Sequence, residues 1–329
     1  MITGIIKLSH FSVKEYLISD HIEERFRISE KTSHSKIEEI SIAYLLQFDS
    51  FEPLTHTILD SSPLAQYAAK HWIEHSKSGV MDPCVMQLML QLFISETSLM
   101  NWIRIWNIDF IWYNRENLSM DKAKVYSPVY YAAVAGIEDL SYYLLEKGAE
   151  VNAQGGYYGN ALQAASYGGH VAIVKVLLEK GAEVNAQGGS HGNALQAASS
   201  GGHEAIVKML LEMGGEVNAQ GGTFGNALQA ASSGGHEAIV KVLLEKGAEV
   251  NAQGGHYENA LQAASFGGYE AIVQVLLEKG AEVNAQGGCY GNALQAASSG
   301  GHEAIVQLLL GKGAEVNAQG GLDRVYGGK

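Results

Sequence analysis

The chain has 329 residues, enough for two domains of ordinary size. Its formal net charge is −13, and an acidic surface repels phosphate backbones, which excludes nucleic acid as an expected partner. Only Cys84 and Cys289 are present, far apart in sequence, which excludes a disulfide framework and fits a reducing compartment.

The opening residues, MITGIIKLSHFSVKEYL, lack the basic flank, long apolar run and small-residue cleavage site of a secretory signal. Ile5 to Leu8 reads as a strand. A helix follows, capped by Ser12 with Glu15 at its third position. Further helices are expected at Ile37 to Phe48, Pro63 to Lys77, Pro83 to Ile94 and Ser98 to Asn107; Pro63 follows Ser62 where proline suits a first helical turn. The most apolar stretch, VMQLMLQLFI from Val85 to Ile94, carries two glutamines and reads as a buried helix too short to span a membrane. Residues 110–126 are polar and irregular and read as a linker.

Beyond residue 126 the chain repeats itself. NALQAAS begins at Asn160, Asn193, Asn226, Asn259 and Asn292, always at the same interval. A fixed period of about 33 residues marks stacked supersecondary units. In one unit, Asn160 stands at an N-cap position with Gln163 three residues on, close to a capping box. Leu162, Ala164 and Ala165 give a short helix with a narrow apolar face, and Gly168-Gly169 stops it. Ile173, Val174, Val176, Leu177 and Leu178 give a second helix that ends at Gly181. AEVNAQGGSHG is then an extended finger leading to the next copy. Burying five aliphatic side chains gains roughly 8–15 kcal/mol, whereas ordering the backbone of such a unit costs at least ~30 kcal/mol. The units must therefore stack into an all-α solenoid, each covering its neighbour.

The unit NALQAASxGGHEAIVKVLLEKGAEVNAQGG resembles the ankyrin repeat, whose pattern reads TPLHxAAxxGHxxIVxLLLxxGAxxNA. Six copies span 127–157, 158–190, 191–223, 224–256, 257–289 and 290–322 within an array of residues 127–329. The first copy is divergent but keeps Pro128, Ala132, Ala133, Gly136 and Gly148-Ala149. Asn replaces the family's Thr, Ala its Pro and Gln its His in the TPLH tetrapeptide; Asn still caps and Gln still hydrogen-bonds. Glycine also replaces the acidic residue usual near the finger, so looser fingers are expected. After Asn317 no polar helix pair follows to cover the last repeat, so Leu294, Ile305, Leu308 and Leu309 are expected to be partly exposed.

LSHFSVKEYL and PLAQYAAKHWIEH, with the repeats behind them, resemble the fungal NACHT-type NOD-like receptors. In that family the first motif ends a winged helix that follows the nucleotide-binding domain. The resemblance implies a winged-helix remnant at residues 1–20 and a helical region at 21–109. It also places His10 at the histidine that faces the nucleotide's phosphates. No GxxxxGK[ST] phosphate loop occurs, so what is implied is the recognition part of a truncated receptor in the cytoplasm. The alternative is a component of a nucleotide-controlled switch whose nucleotide domain lies in another chain.

Chemical motifs are few. GGHEAIV begins like HExxH, but its fifth position is valine, and one histidine per repeat cannot converge on a metal. His71-Trp72-Ile73-Glu74-His75 has the HxxEH order and i,i+4 spacing, yet a zinc enzyme needs a third ligand and a cleft. GGYYG lies in a finger and departs from GxGxxG spacing. Neither metal nor cofactor is expected, and no Ser/His/Asp or Cys/His catalytic set can be assembled, so the expected function is non-catalytic.

The copies differ mainly at two places. The finger pair reads Tyr157-Tyr158, Ser190-His191, Thr223-Phe224, His256-Tyr257 and Cys289-Tyr290, and the residue before the double glycine reads Tyr167, Ser200, Ser233, Phe266 and Ser299. Fingers and first helices line the concave side of ankyrin arrays, so these residues are expected to face solvent, with equivalent positions ~10 Å apart by helix-packing distance. Exposed aromatics offer large contact area at low entropy cost. Tyr157, Tyr158, Tyr167, His191, Phe224, His256, Tyr257, Phe266 and Tyr290 are thus candidate protein-binding residues. The bland alternative is that the rings pack on neighbouring fingers.

Overall fold

The computed structural model describes residues 29–51, 53–78, 82–109, 116–121 and 125–318. The expected strand at Ile5 to Leu8, the Ser12-capped helix and His10 lie outside these residues. The chain divides into two compact units, Met1–Val125 and Tyr126–Lys329.

The first unit holds α1 (Glu30–Leu46), which runs into a 3-10 turn at Gln47–Ser50, then α2 (His56–Asp60), α3 (Ala65–Ser78), α4 (Pro83–Ile94) and α5 (Glu96–Ile105). α1 starts two turns before the expected Ile37, because Ser29 caps it by accepting from the Thr32 N–H. Pro63 and Leu64 form a turn before α3, closed by the Ala65 N–H to the Ser62 carbonyl at 3.0 Å. α4 has the expected bounds, with Asp82 at its N-cap and Pro83 in its first turn. The core is aromatic: the rings of Trp72, Phe93 and Trp102 lie 5.3–6.1 Å apart. The Trp102 indole donates to the Ala69 carbonyl at 3.0 Å.

Part of the expected linker is structural. The buried Arg104 guanidinium needs acceptors and finds the Met120 carbonyl at 2.9 and 3.1 Å. The Asn117 N–H bonds the Arg104 carbonyl at 2.8 Å. Residues 116–121 therefore belong to the packing of the first unit.

In the second unit six helix pairs follow one another: α6 (Pro128–Ala135) with α7 (Glu138–Glu146), α8 (Ala161–Gly168) with α9 (Val171–Glu179), α10 (Ala194–Gly201) with α11 (Glu204–Glu212), α12 (Ala227–Gly234) with α13 (Glu237–Glu245), α14 (Ala260–Gly267) with α15 (Glu270–Glu278), and α16 (Ala293–Ser299) with α17 (Glu303–Gly311). Among the described residues the regular structure is entirely helical, and this unit is the stacked solenoid. Each first helix packs on the first helix of the next copy. Ile173, Val174 and Leu177, with their equivalents Ile239, Val240 and Leu243, are essentially inaccessible to water.

The caps obey the sequence. Asn160, Asn193, Asn226, Asn259 and Asn292 each accept the N–H of the glutamine three residues on at 2.9 Å. At Asn193 the Gln196 side chain closes a full capping box. Because Asn226 and Gln229 are both buried, Asn226→Ala leaves an N–H without water or partner. We expect a loss of about 1–2 kcal/mol, read as a lower urea midpoint at unchanged slope.

The glutamine in place of the family's histidine carries a second load. Gln196 Nε2 donates to the Ala219 and Gly225 carbonyls, both at 3.0 Å, and Gln229 Nε2 to those of Ala252 and Glu258. Each of these helices is thereby tied to the following finger. The fingers are correspondingly well bonded, contrary to the looseness expected from their glycines. Gly188 pairs with Gly192 across one tip, and the Ser190 N–H bonds the Tyr157 carbonyl of the preceding tip at 2.9 Å.

The last repeat also differs from expectation. Leu294, Ile305 and Leu309 are buried where partial exposure was expected, whereas Leu308 is half-buried, as expected. The loss of cover falls instead on Ser298 and Leu310, which are exposed while Ser265 and Leu277 one repeat earlier are not.

Candidate protein-binding surface

The residue at each finger tip is placed by backbone pairing. The Thr223 N–H bonds the Ser190 carbonyl at 2.8 Å, and the His256 N–H bonds the Thr223 carbonyl at 2.9 Å. Successive fingers therefore lie side by side like strands, which are separated by about 4.8 Å, rather than at the ~10 Å spacing of helix axes. Rings one period apart come into contact. Tyr158 stacks on His191 with centroids 5.8 Å apart, and Tyr257 on Tyr290 at 6.1 Å.

The residue before the double glycine completes these stacks where it is aromatic. Tyr167 sits 5.1 Å from Tyr158 and 4.7 Å from His191. Phe266 sits 5.9 Å from Tyr257 and 4.4 Å from Tyr290. The structure thus brings the nine candidates together in two clusters. One holds Tyr157, Tyr158, Tyr167, His191 and Phe224; the other holds His256, Tyr257, Phe266 and Tyr290.

Solvent exposure was expected for all nine, and the structure corrects this. Only His256 is exposed; Tyr158 and His191 are buried, and the rest are half-buried. Strand-like finger spacing is the cause, since rings held that close cover one another. Burial has an electrostatic consequence: desolvation of the imidazolium pulls the His191 pKa down to about 4. Its Nδ1 lies 3.0 Å from the Ser190 hydroxyl. Further along the fingertips, Cys289 Sγ lies 3.5 Å from His256 Nε2, and burial raises the thiol's pKa.

One supporting residue escaped the sequence reading. Tyr130 occupies, in the divergent first copy, the place held by Gln163 one period later. Its hydroxyl accepts the Tyr158 N–H at 3.3 Å, so a ring replaces the glutamine bridge beneath the first finger. Aligning the divergent copy with the next, one period on, would have found it.

The chemical motifs resolve into packing. His203, His236 and His302 donate from Nε2 to the carbonyls of Tyr167, Ser200 and Phe266 at 2.8–3.1 Å, tying each second helix to the repeat before it. In HxxEH the two histidines have different partners. His71 Nδ1 meets Glu74 at 2.9 Å, whereas His75 Nδ1 lies 2.7 Å from His34 Nδ1 and its Nε2 3.1 Å from the Tyr67 hydroxyl. Among the described residues no group of three or more His, Cys, Asp or Glu side chains is arranged to hold a metal. An open groove of about 640 Å³ lies in the first unit between Tyr67, Lys70, Trp106 and Glu116, with Lys70 Nζ over the Trp106 ring and Glu116 paired to His56. Among the described residues no helix is long and apolar enough to cross a membrane.

The profile of the family described as ankyrin repeats (3 copies) matches residues 108–188, 163–254 and 230–320, together more than half of the chain. The "Azaphilone pigments biosynthesis cluster protein L" of Monascus ruber is 40% identical over 190 residues, 52% of this chain and 40% of that protein. The match therefore spans well under half of that relative's length. Among solved structures, the crystal structure of the human ASB11 ankyrin repeat domain superposes with a TM-score of 0.51 at 29% identity, covering 59% of this chain and 87% of that one.

Proposed function

This chain belongs to the ankyrin repeat family, and on that premise we propose that it is a non-catalytic scaffold that binds another protein along its finger tips. The observation that carries the reading is internal. Near-identical copies hold their Leu, Asn and Gln positions constant and differ at the finger pair and before the double glycine, where rings accumulate. The polar positions that repeat are spent within the array: Asn on caps, Gln on fingers, His on carbonyls. No convergent set is left over for catalysis in this reading.

The segments LSHFSVKEYL and PLAQYAAKHWIEH support a further step, that the array is the recognition part of a fungal NOD-like receptor working in the cytoplasm. The place of His10 in the first motif supports a second reading, a component acting with a nucleotide-binding domain in another chain.

The test compares wild type with Phe224→Ala and Tyr257→Ala in partner capture and in thermal melting. Each lost ring pair costs about 0.5–1.5 kcal/mol of stability. Loss of a recognition anchor costs above ~2 kcal/mol of binding, some thirtyfold in affinity. We expect binding to fall far more than stability. If both variants keep every partner yet melt several degrees lower, the rings are finger packing and recognition lies elsewhere.

A further inference from the structure

The first four finger tips are joined in sequence by backbone bonds, Ser190 to Tyr157, Thr223 to Ser190 and His256 to Thr223, at 2.8–2.9 Å. The pattern calls next for the Cys289 N–H on the His256 carbonyl, and that bond is absent. In its place the Cys289 Sγ meets His256 Nε2 at 3.5 Å. The supporting glutamine changes as well. Gln163, Gln196 and Gln229 each donate to the carbonyl of the third residue of the next tip, Gly192, Gly225 and Glu258, at 2.9–3.0 Å. Gln262 makes no such bond to Gly291. Its amide, oriented so that its N–H groups meet acceptors, turns back to the Tyr257 carbonyl of its own finger at 2.8 Å and keeps that of Gly287 at 3.2 Å.

Glu258 accounts for the difference. It adopts φ 70° where the other tips have Gly159, Gly192, Gly225 and Gly291, and a side chain in that left-handed conformation is strained where glycine is not. That side chain leans over the following finger, its Cγ 2.7 Å from the point a Cβ on Gly287 would occupy. The fifth finger accordingly stands further off. A Cβ on Gly189, Gly222 or Gly255 would come 2.2–2.3 Å from the carbonyl carbon of the tip before it, but on Gly288 it would lie 3.0 Å from that of Tyr257. Rings hold this tip instead: Tyr290 lies 4.4 Å from Phe266 and 6.1 Å from Tyr257.

We infer that the fifth finger is a hinged flap on the array. Glu258 wedges it off the backbone ladder, and Phe266 and Tyr257 latch it through Tyr290. Local opening is drawn from the places with the fewest backbone bonds, so this finger swings out while the other four stay paired. Opening parts Tyr290 from Phe266 and Tyr257 and bares the ring faces that it covers when closed. The motion belongs to the chain alone and stands whether or not these rings bind a partner.

Amide hydrogen exchange of the full chain, read as protection factors so that intrinsic rates cancel, tests the flap. Residues 287–291 should be protected about tenfold less, or weaker still, than the equivalent residues 221–225. Glu258→Gly copies the other tips. It should raise protection at 287–291 by about tenfold or more and leave 221–225 unchanged. Phe266→Ser installs the residue that Ser200, Ser233 and Ser299 supply in other copies, and should lower protection at 287–291 several-fold further. Helix α17 is the control for fraying of the whole last repeat, because a flap that moves alone leaves it behind. Equal protection of the two fingers in wild type overturns the flap. So does an unchanged rate at 287–291 in Glu258→Gly, or a gain in α17 as large as the gain in the finger.

Discussion

Replacing Gly222 by alanine is expected to cost about 3 kcal/mol or more, while the same change at Gly214 costs about 1–2 kcal/mol. Both glycines have positive φ, 62° and 87°, so both variants share the strain of an L-residue in the left-handed region. They differ in space. A Cβ on Gly214 meets nothing within 4 Å, whereas on Gly222 it comes 2.3 Å from the His191 carbonyl carbon and 2.5 Å from the Gly192 nitrogen. Those are backbone atoms of the preceding finger. That finger cannot retreat without breaking the Gly188–Gly192 pairing and the Thr223 bond to Ser190. Neighbour contacts carry a solenoid, so the loss spreads to both adjoining repeats. Urea melts followed by circular dichroism give the two values. Equal costs at both sites would show that the fingers yield, and the close-approach argument would fail.

That contrast also marks what the sequence could reveal. The period, the Asn caps and the Leu and Ile core positions were legible because each is set by local chemistry repeated in every copy. Finger spacing was not. Gly221-Gly222 reads as flexible in isolation, yet in place it is rigid, its missing Cβ being the condition for two backbones to touch. The variable rings were found for the same reason the core was, by comparison of copies, but their burial could not be. An offset of one period gives a helix spacing of ~10 Å, and only backbone pairing between tips brings Tyr158 to 5.8 Å from His191. In the first unit the apolar run from Val85 to Ile94 behind Pro83 announced α4, whereas His56–Asp60 is too short to show periodicity. The two aromatic clusters and the break between them needed coordinates.

Acidification is expected to weaken the array by about 3 kcal/mol between pH 6.5 and pH 4, and His191→Tyr is expected to abolish most of that loss. His191 is 6% exposed and neutral in the folded state, its pKa lowered from 6.5 to about 4 by burial. The unfolded chain takes up the proton first as pH falls. The stabilisation from the neutral ring is therefore complete above pH 6.5, shrinks as pH drops through this window, and is gone below pH 4. The magnitude is the gap between those two pKa values multiplied by about 1.4 kcal/mol per pH unit. Tyrosine is the matched replacement because Tyr158, Tyr257 and Tyr290 hold the equivalent finger place and a phenol has no basic ring nitrogen to take up a proton. The first unit needs separate tracking. Burial raises the Glu38 pKa from 4.5 to about 7, so its contribution is full below pH 4.5 and is lost as pH rises toward 7. His75, lowered by burial and then by the His34 charge, opposes it. All four tryptophans, Trp72, Trp102, Trp106 and Trp112, lie in that unit, so tryptophan fluorescence follows it alone. Hydrogen exchange across residues 194–246 follows the array. An acid slope in that exchange that His191→Tyr leaves intact would show that the buried imidazole is not its source.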